Sequence, residues 1–205
     1  MRDLNLFKNC KTAAVIVAHP DDETLWSGGT IMMNPEINWT ILSLTRKSDS
    51  DRAPKFFNTM KKLNAVGFMS DLDDAPSQKP LPTDLIQLEI TFILDVHSYD
   101  IIITHHPLGE YTKHLRHEEV SLAVFHLIQS KILKCKKFIT FAYCDGGKIF
   151  LPKPRNDADI IINLPEDIII RKKEIINDIY GFAPGSFEAM LCTNLEAFKL
   201  QEIWQ

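Results

Sequence analysis

The sequence predicts one α/β domain built on a Rossmann-like, open, mostly parallel sheet with helices on both faces. Three observations carry that prediction. Short, nearly unbroken apolar runs recur along the chain, as strands buried on both faces of a parallel sheet require. Segments with apolar residues at helical spacing separate them. Strand alternating with helix then packs as a sheet whose crossovers are right-handed. The 205 residues suit a single domain over 1–205, which can bury roughly 70% of its unfolded surface without staples.

The first strand is Thr12–Ala18, a continuous apolar run from Ala13 onward bounded by turn residues. Similar runs follow at Ile41–Thr45, Asp100–Thr104, Phe138–Ala142 and Asp159–Ile162. A first helix is expected to open at Asp21-Asp22-Glu23. Another helix follows Asp51, with Phe56, Met60, Leu63 and Val66 on one face. A third begins after Pro82-Thr83-Asp84 and buries Leu85, Leu88, Phe92 and Val96; a fourth follows His117 and buries Val120, Val124, Leu127 and Ile128. Pro76 to Pro82 reads as a surface loop. Asp145-Gly146-Gly147-Lys148 reads as a tight turn leading into a hairpin. Glu166 to Tyr180 is expected to be helical, as is a last segment from about Asn194 to Trp204.

Lys+Arg is 23 against Asp+Glu 27, a net charge of -4. Nucleic-acid binding is thereby disfavoured, because neutralising phosphates needs clustered positive charge. No apolar run approaches the ~20 residues of a membrane helix, and the first residues lack the pattern of a secretory signal. The four cysteines, Cys10, Cys135, Cys144 and Cys192, share no CxxC spacing and read as reduced thiols, so a cytoplasmic location is expected. The apolar later segments permit a homo-oligomer.

Chemistry concentrates at two strand ends. The first strand runs into His19-Pro20-Asp21-Asp22-Glu23, at the edge where open α/β sheets bind ligands. An imidazole and three carboxylates in five residues repel one another unless a cation neutralises them. Asp21 and Asp22 are adjacent, so their side chains diverge: one is free to ligate the cation and the other to act as a base. A helix start is the competing explanation, since acids favour the N-terminal dipole, but it requires neither His19 nor Pro20. The strand at Asp100–Thr104 leads into His105-His106-Pro107 and then His114-Leu115-Arg116-His117. His114 and His117, three apart, project to one side of a helical turn. One of these histidines with His19 and one aspartate makes a two-His, one-carboxylate set with an open position, suited to catalytic zinc or ferrous iron. His97 and His126 are assigned no role, and Trp26 and Trp39 are read as packing residues.

The segment Ala18-His19-Pro20-Asp21-Asp22-Glu23 resembles the AHPDDE motif of the LmbE-like/PIG-L de-N-acetylases. His114-Leu115-Arg116-His117 is similar to that family's second motif, and Thr45–Arg52 occupies the place of its loop after the second strand. The resemblance is clear from Thr12 to about Val124. It implies an LmbE-like deacetylase fold and hydrolysis of an acetamido group on an N-acetylglucosamine-type sugar. It further implies Zn2+ (or Fe2+) held by His19, Asp22 and His117, with Asp21 as general base, protonated His114 polarising the oxyanion and Arg52 reaching the substrate. Phe182 to Phe198 is expected to wall the pocket.

Two features depart from the pattern. Arg116 replaces the aspartate between the histidines, which should depress the pKa of His114 unless Glu110, Glu118 or Glu119 supplies the missing charge. The loop Tyr111-Thr112-Lys113 is also one residue longer than usual. A catalytically silent sugar- or partner-binding domain is the alternative reading. A nucleotide-binding one has little support, since Gly28-Gly29 stands without a G-x-G-x-x-G.

Overall fold

The structure is a computed structural model that describes residues 6–77, 79–112 and 114–202. Five strands run parallel: β1 (Thr12–Val17), β2 (Asn38–Ser43), β3 (Val66–Met69), β4 (Ser98–Thr104) and β5 (Lys134–Phe141). A short hairpin of β6 (Tyr143–Cys144) and β7 (Lys153–Pro154) forms its own small sheet, with the predicted glycine turn inside its loop. Two further strands, β8 (Ile160–Asn163) and β9 (Leu195–Gln201), are antiparallel to each other, and β9 is antiparallel to β5. The main sheet has the order β3-β2-β1-β4-β5-β9-β8. The chain therefore leaves β1 to one side for β2 and returns on the other as β4. That reversal opens a crevice beyond the carboxyl ends of β1 and β4.

The helices are α1 (Asp22–Met33), α2 (Arg52–Leu63), α3 (Thr83–Ile93), α4 (Leu115–Gln129), α5 (Glu166–Glu174) and α6 (Phe187–Leu191). Alternation along β1 assigns them to layers. Val15 and Val17 face the core that holds Trp26, Phe56 and Ile168, so α1, α2 and α5 cover that side. Ala14 and Ile16 face Ile86, Ile90, Val120 and Val124, so α3 and α4 cover the other. Among the described residues no helix is long and apolar enough to cross a membrane.

Three expectations need correction. The last segment is not a helix from Asn194 to Trp204. Leu195–Gln201 is strand β9, and Trp204 lies outside the described residues. Glu196, Ala197 and Phe198 are all buried because β9 lies between β5 and β8 with both faces covered. A strand in that position loses its alternation and looks like a buried helix. In α3 the sheet is met by Ile86 and Ile90, while Leu85, Leu88 and Phe92 point outward, Phe92 being 86% exposed, and Val96 beyond the helix is exposed too. Two apolar stripes compete on that helix, and only contact with the sheet chooses between them. Val66 does not continue α2, because Asn64 in the left-handed conformation (φ 53°) ends the helix and β3 begins. The expected helix from Glu166 to Tyr180 does form, as α5 and a π-helical turn over Ile175–Ile179.

A buried ion pair ties β9 to the helical layer. Lys172 Nζ donates to Glu196 at 2.7 Å, and both side chains are fully buried. Glu196 also accepts the main-chain N–H groups of Gly29 (2.8 Å) and Thr30 (2.7 Å) and the Thr30 hydroxyl (2.6 Å). Position 29 lacks a side chain where Leu164 packs against α1: a Cβ there would lie 2.5 Å from the Leu164 methyl groups. Glu196→Gln leaves the Lys172 charge buried without its counter-ion. We expect a loss of about 3–5 kcal/mol in urea unfolding, partly recovered when Lys172 is also replaced by Met.

Candidate active site

The crevice beyond β1 and β4 holds the two clusters read from the sequence. β1 ends into a turn at Asp21, whose backbone adopts φ 128°, an uncommon conformation for a residue with a side chain. The turn is held by Glu23: its Oε2 accepts the Asp21 main-chain N–H at 3.0 Å, and its Oε1 accepts the hydroxyls of Tyr180 and Thr24, each at 2.7 Å. Asp21 sits at the head of α1 but makes no side-chain cap, so capping does not account for Asp21. The two aspartates diverge as expected. Asp21 takes a guanidinium N–H of Arg52 at 3.3 Å, while Asp22 turns to the histidines.

Asp22 Oδ2 lies 3.1 Å from His19 Nδ1 and 3.2 Å from His117 Nε2, and those two nitrogens are 3.2 Å apart. Three donor atoms thus form a near-equilateral triangle. Zinc bonds of about 2.1 Å in a tetrahedral site give donor–donor edges of about 3.4 Å, so the residues fit a divalent cation. Each histidine also turns its other ring nitrogen to a carboxylate, His19 Nε2 to Asp74 Oδ1 at 3.1 Å and His117 Nδ1 to Glu110 Oε2 at 2.5 Å. Such carboxylates fix ring orientation and tautomer around metal sites. Trp26 does more than pack: its indole N–H donates to Asp22 Oδ1 at 3.1 Å.

His105 approaches the same aspartate, Nε2 to Oδ2 at 3.5 Å, but its tautomer removes it from the donor set. The Ala18 main-chain N–H donates to His105 Nε2 at 2.9 Å, so that nitrogen carries the lone pair and Nδ1–H donates to Glu110 at 2.8 Å. His105 therefore ties the ends of β1 and β4 together. Sequence reasoning missed this role, along with those of Asp74, Glu110 and Tyr180. Glu110 lay within a motif-like loop, whereas Asp74 and Tyr180 carry no local signal.

The ionisation states follow from these neighbours. Burial opposes charge on His117, but Asp22 and Glu110 outweigh it and hold the imidazole at about 10. Burial likewise opposes ionisation of Glu110, yet His105 and His117 bring its carboxyl down to about 2. Burial, with the Asp22 carboxylate beside it, pushes Asp21 well above the usual carboxylate range. His114 is lowered to about 3, first by burial and then by the His117 and His19 imidazoles.

The direction for His114 matches expectation, but its cause does not. Arg116 is turned away, paired with Glu119 and donating to the Lys79 carbonyl at 3.2 Å. None of the three glutamates considered reaches His114. Glu110 serves His105 and His117, Glu119 serves Arg116, and His114 Nδ1 is buried with no partner among the described residues. The ring stacks on His117 (centroids 3.9 Å) with its edge near His19 (4.7 Å). A protonated His114 is therefore not what this environment favours.

His19, Asp21, Asp22 and His114 line a cavity of about 340 Å³ together with Arg46, Arg52, Asp74 and Tyr111. Phe187, Glu188 and Leu191 supply the wall expected from the C-terminal segment. Arg52 also lies 4.6 Å over the Phe182 ring, and Arg46 donates twice to Asp74, at 2.7 and 3.0 Å.

Fold and crevice together define an α/β protein with the LmbE-like deacetylase fold. The structure is similar to N,N'-diacetylchitobiose deacetylase from Pyrococcus horikoshii, at 14% identity over 97% of this chain and 86% of that one, with a TM-score of 0.69. It is similar to a zinc-inhibited form of the teicoplanin deacetylase Orf2, at 12% identity over 83% and 84% of the two chains, TM-score 0.62. It also resembles GalB, the 4-carboxy-2-hydroxymuconate hydratase of Pseudomonas putida KT2440, at 13% identity over 95% and 97%, TM-score 0.61. No family model and no curated protein matches the sequence. The fold is thus shared by deacetylases and a hydratase, and fold alone does not choose between their chemistries.

Proposed function

We propose that this chain is a metal-dependent N-deacetylase of the LmbE-like/PIG-L family, hydrolysing the acetamido group of an N-acetylglucosamine-type sugar to an amine and acetate. The observation that carries this reading is the triangle of His19 Nδ1, Asp22 Oδ2 and His117 Nε2, with edges of 3.1–3.2 Å, with Asp21 beside it. A divalent cation held by these three residues, zinc or ferrous iron, supplies the Lewis acidity that makes water a competent nucleophile near neutral pH. Asp21 is the general base: it takes a proton from the attacking water at a carboxylate oxygen and returns it to the leaving nitrogen. Its raised pKa suits both halves of that work. Arg52 holds Asp21 in place and meets substrate hydroxyls. His114, neutral in this setting, donates one N–H toward the developing oxyanion. The four cysteines are all free, which fits a reducing, cytoplasmic compartment.

The second reading, a silent binding domain, draws on the unpartnered Nδ1 of His114. Metal content by mass spectrometry, measured beside acetate release from N-acetylglucosamine, separates the two. About one equivalent of zinc or iron per chain with acetate released is the expected result. A protein that takes up no metal on reconstitution would overturn the deacetylase reading in favour of the binding domain.

A further inference from the structure

We propose that the cavity selects an uncharged N-acetylated sugar through Glu188 and discriminates against phosphorylated or nucleotide-linked sugars. The proposal deepens the deacetylase reading and rests on it.

Two guanidiniums line the cavity, and each is already held on a carboxylate: Arg46 on Asp74 at 2.7 Å and Arg52 on Asp21 at 3.3 Å. The lining also includes Asp22 and Glu188, so among the described residues four carboxylates face two cations. A divalent cation at the donor triangle would offset that excess and leave no surplus positive charge. A phosphate entering such a space gives up its hydration without gaining a counter-charge, which is unfavourable. A sugar hydroxyl meets no such penalty.

Glu188 is the unused acceptor. α6 brings it into the cavity lining, yet its carboxylate makes no hydrogen bond or ion pair with any described residue. Beside it Phe187 lines the same cavity, its ring centroid 5.4 Å from that of Tyr111. An aromatic surface next to a free carboxylate matches the two sides of a pyranose, whose C–H face packs on rings while its hydroxyls donate. The cavity of about 340 Å³ has room for one such ring.

The test is kcat/KM for acetate release from N-acetylglucosamine, its 6-phosphate and UDP-N-acetylglucosamine, in the full chain and in Glu188→Gln and Glu188→Lys. The uncharged sugar should lead by about tenfold or more. Glu188→Gln should raise its KM about tenfold with kcat retained, the worth of one charge-assisted hydrogen bond. Glu188→Lys should shift the ratio toward the 6-phosphate. Wild-type preference for either anionic sugar, or a Glu188→Gln protein with unchanged KM, overturns the proposal. Calorimetric binding of the same three sugars decides it even where none releases acetate, so failure of the deacetylase reading is seen separately.

Discussion

Replacing His117 by alanine is expected to empty the metal site and abolish turnover while leaving the sheet intact. His117 supplies one corner of the donor triangle and, through its other nitrogen, anchors Glu110. Loss of a carboxylate behind a ligand typically costs 10–100-fold in metal affinity, so loss of the ligand itself should exceed about 100-fold. Glu110→Gln is the matched comparison: it keeps the triangle and should fall within that smaller range. Metal stoichiometry after dialysis, read beside circular dichroism, checks both. A His117→Ala protein that keeps a full equivalent of metal would show that the triangle is not the site. His105 and His114 would then be the residues to examine, since both stack against His117.

Asp21→Asn should separate binding from chemistry. The amide keeps the size of the side chain and tolerates the turn at φ 128°, because asparagine and aspartate both accept positive φ more readily than other side chains. It cannot take up a proton. A general base contributes about 10²–10⁴ in rate, so kcat should fall by that factor with metal content and melting temperature retained. Near-full hydrolysis in a metal-loaded Asp21→Asn protein would end the assignment and move the base role elsewhere in the cavity. The substitution also weakens the pair with Arg52, and a rise in KM alone would point to a substrate-positioning role for the two residues instead.

Much of the site was legible because its chemistry is local in sequence. His19, Asp21 and Asp22 lie within one turn after a strand, and His114 and His117 within one helical turn. The residues that orient them are not local. Asp74 comes from a loop without a motif, and Tyr180 reaches Glu23 from 157 residues away. His105 was in plain view, but its exclusion from the donor set depends on an amide of β1, which only the folded chain brings to it. Arg116 shows the opposite error. Its place beside His114 in sequence suggested an electrostatic effect, whereas its side chain leaves the cavity to pair with Glu119.

The sequence by itself determined the parallel core, since short apolar runs alternating with segments of helical spacing pack as a parallel sheet. It also determined that these acids and histidines gather in one place, because residues following parallel strands collect at the carboxyl edge of a sheet. Only the tertiary structure decided which stripe of α3 is buried and that the last long segment is a strand. Burial on both faces erases the period by which a strand is recognised, and two apolar stripes on one helix are equivalent until a sheet covers one. The tertiary structure likewise decided the tautomer of His105 and the isolation of His114. Hydrogen bonds between distant segments set proton positions, and spacing along a chain carries no record of them.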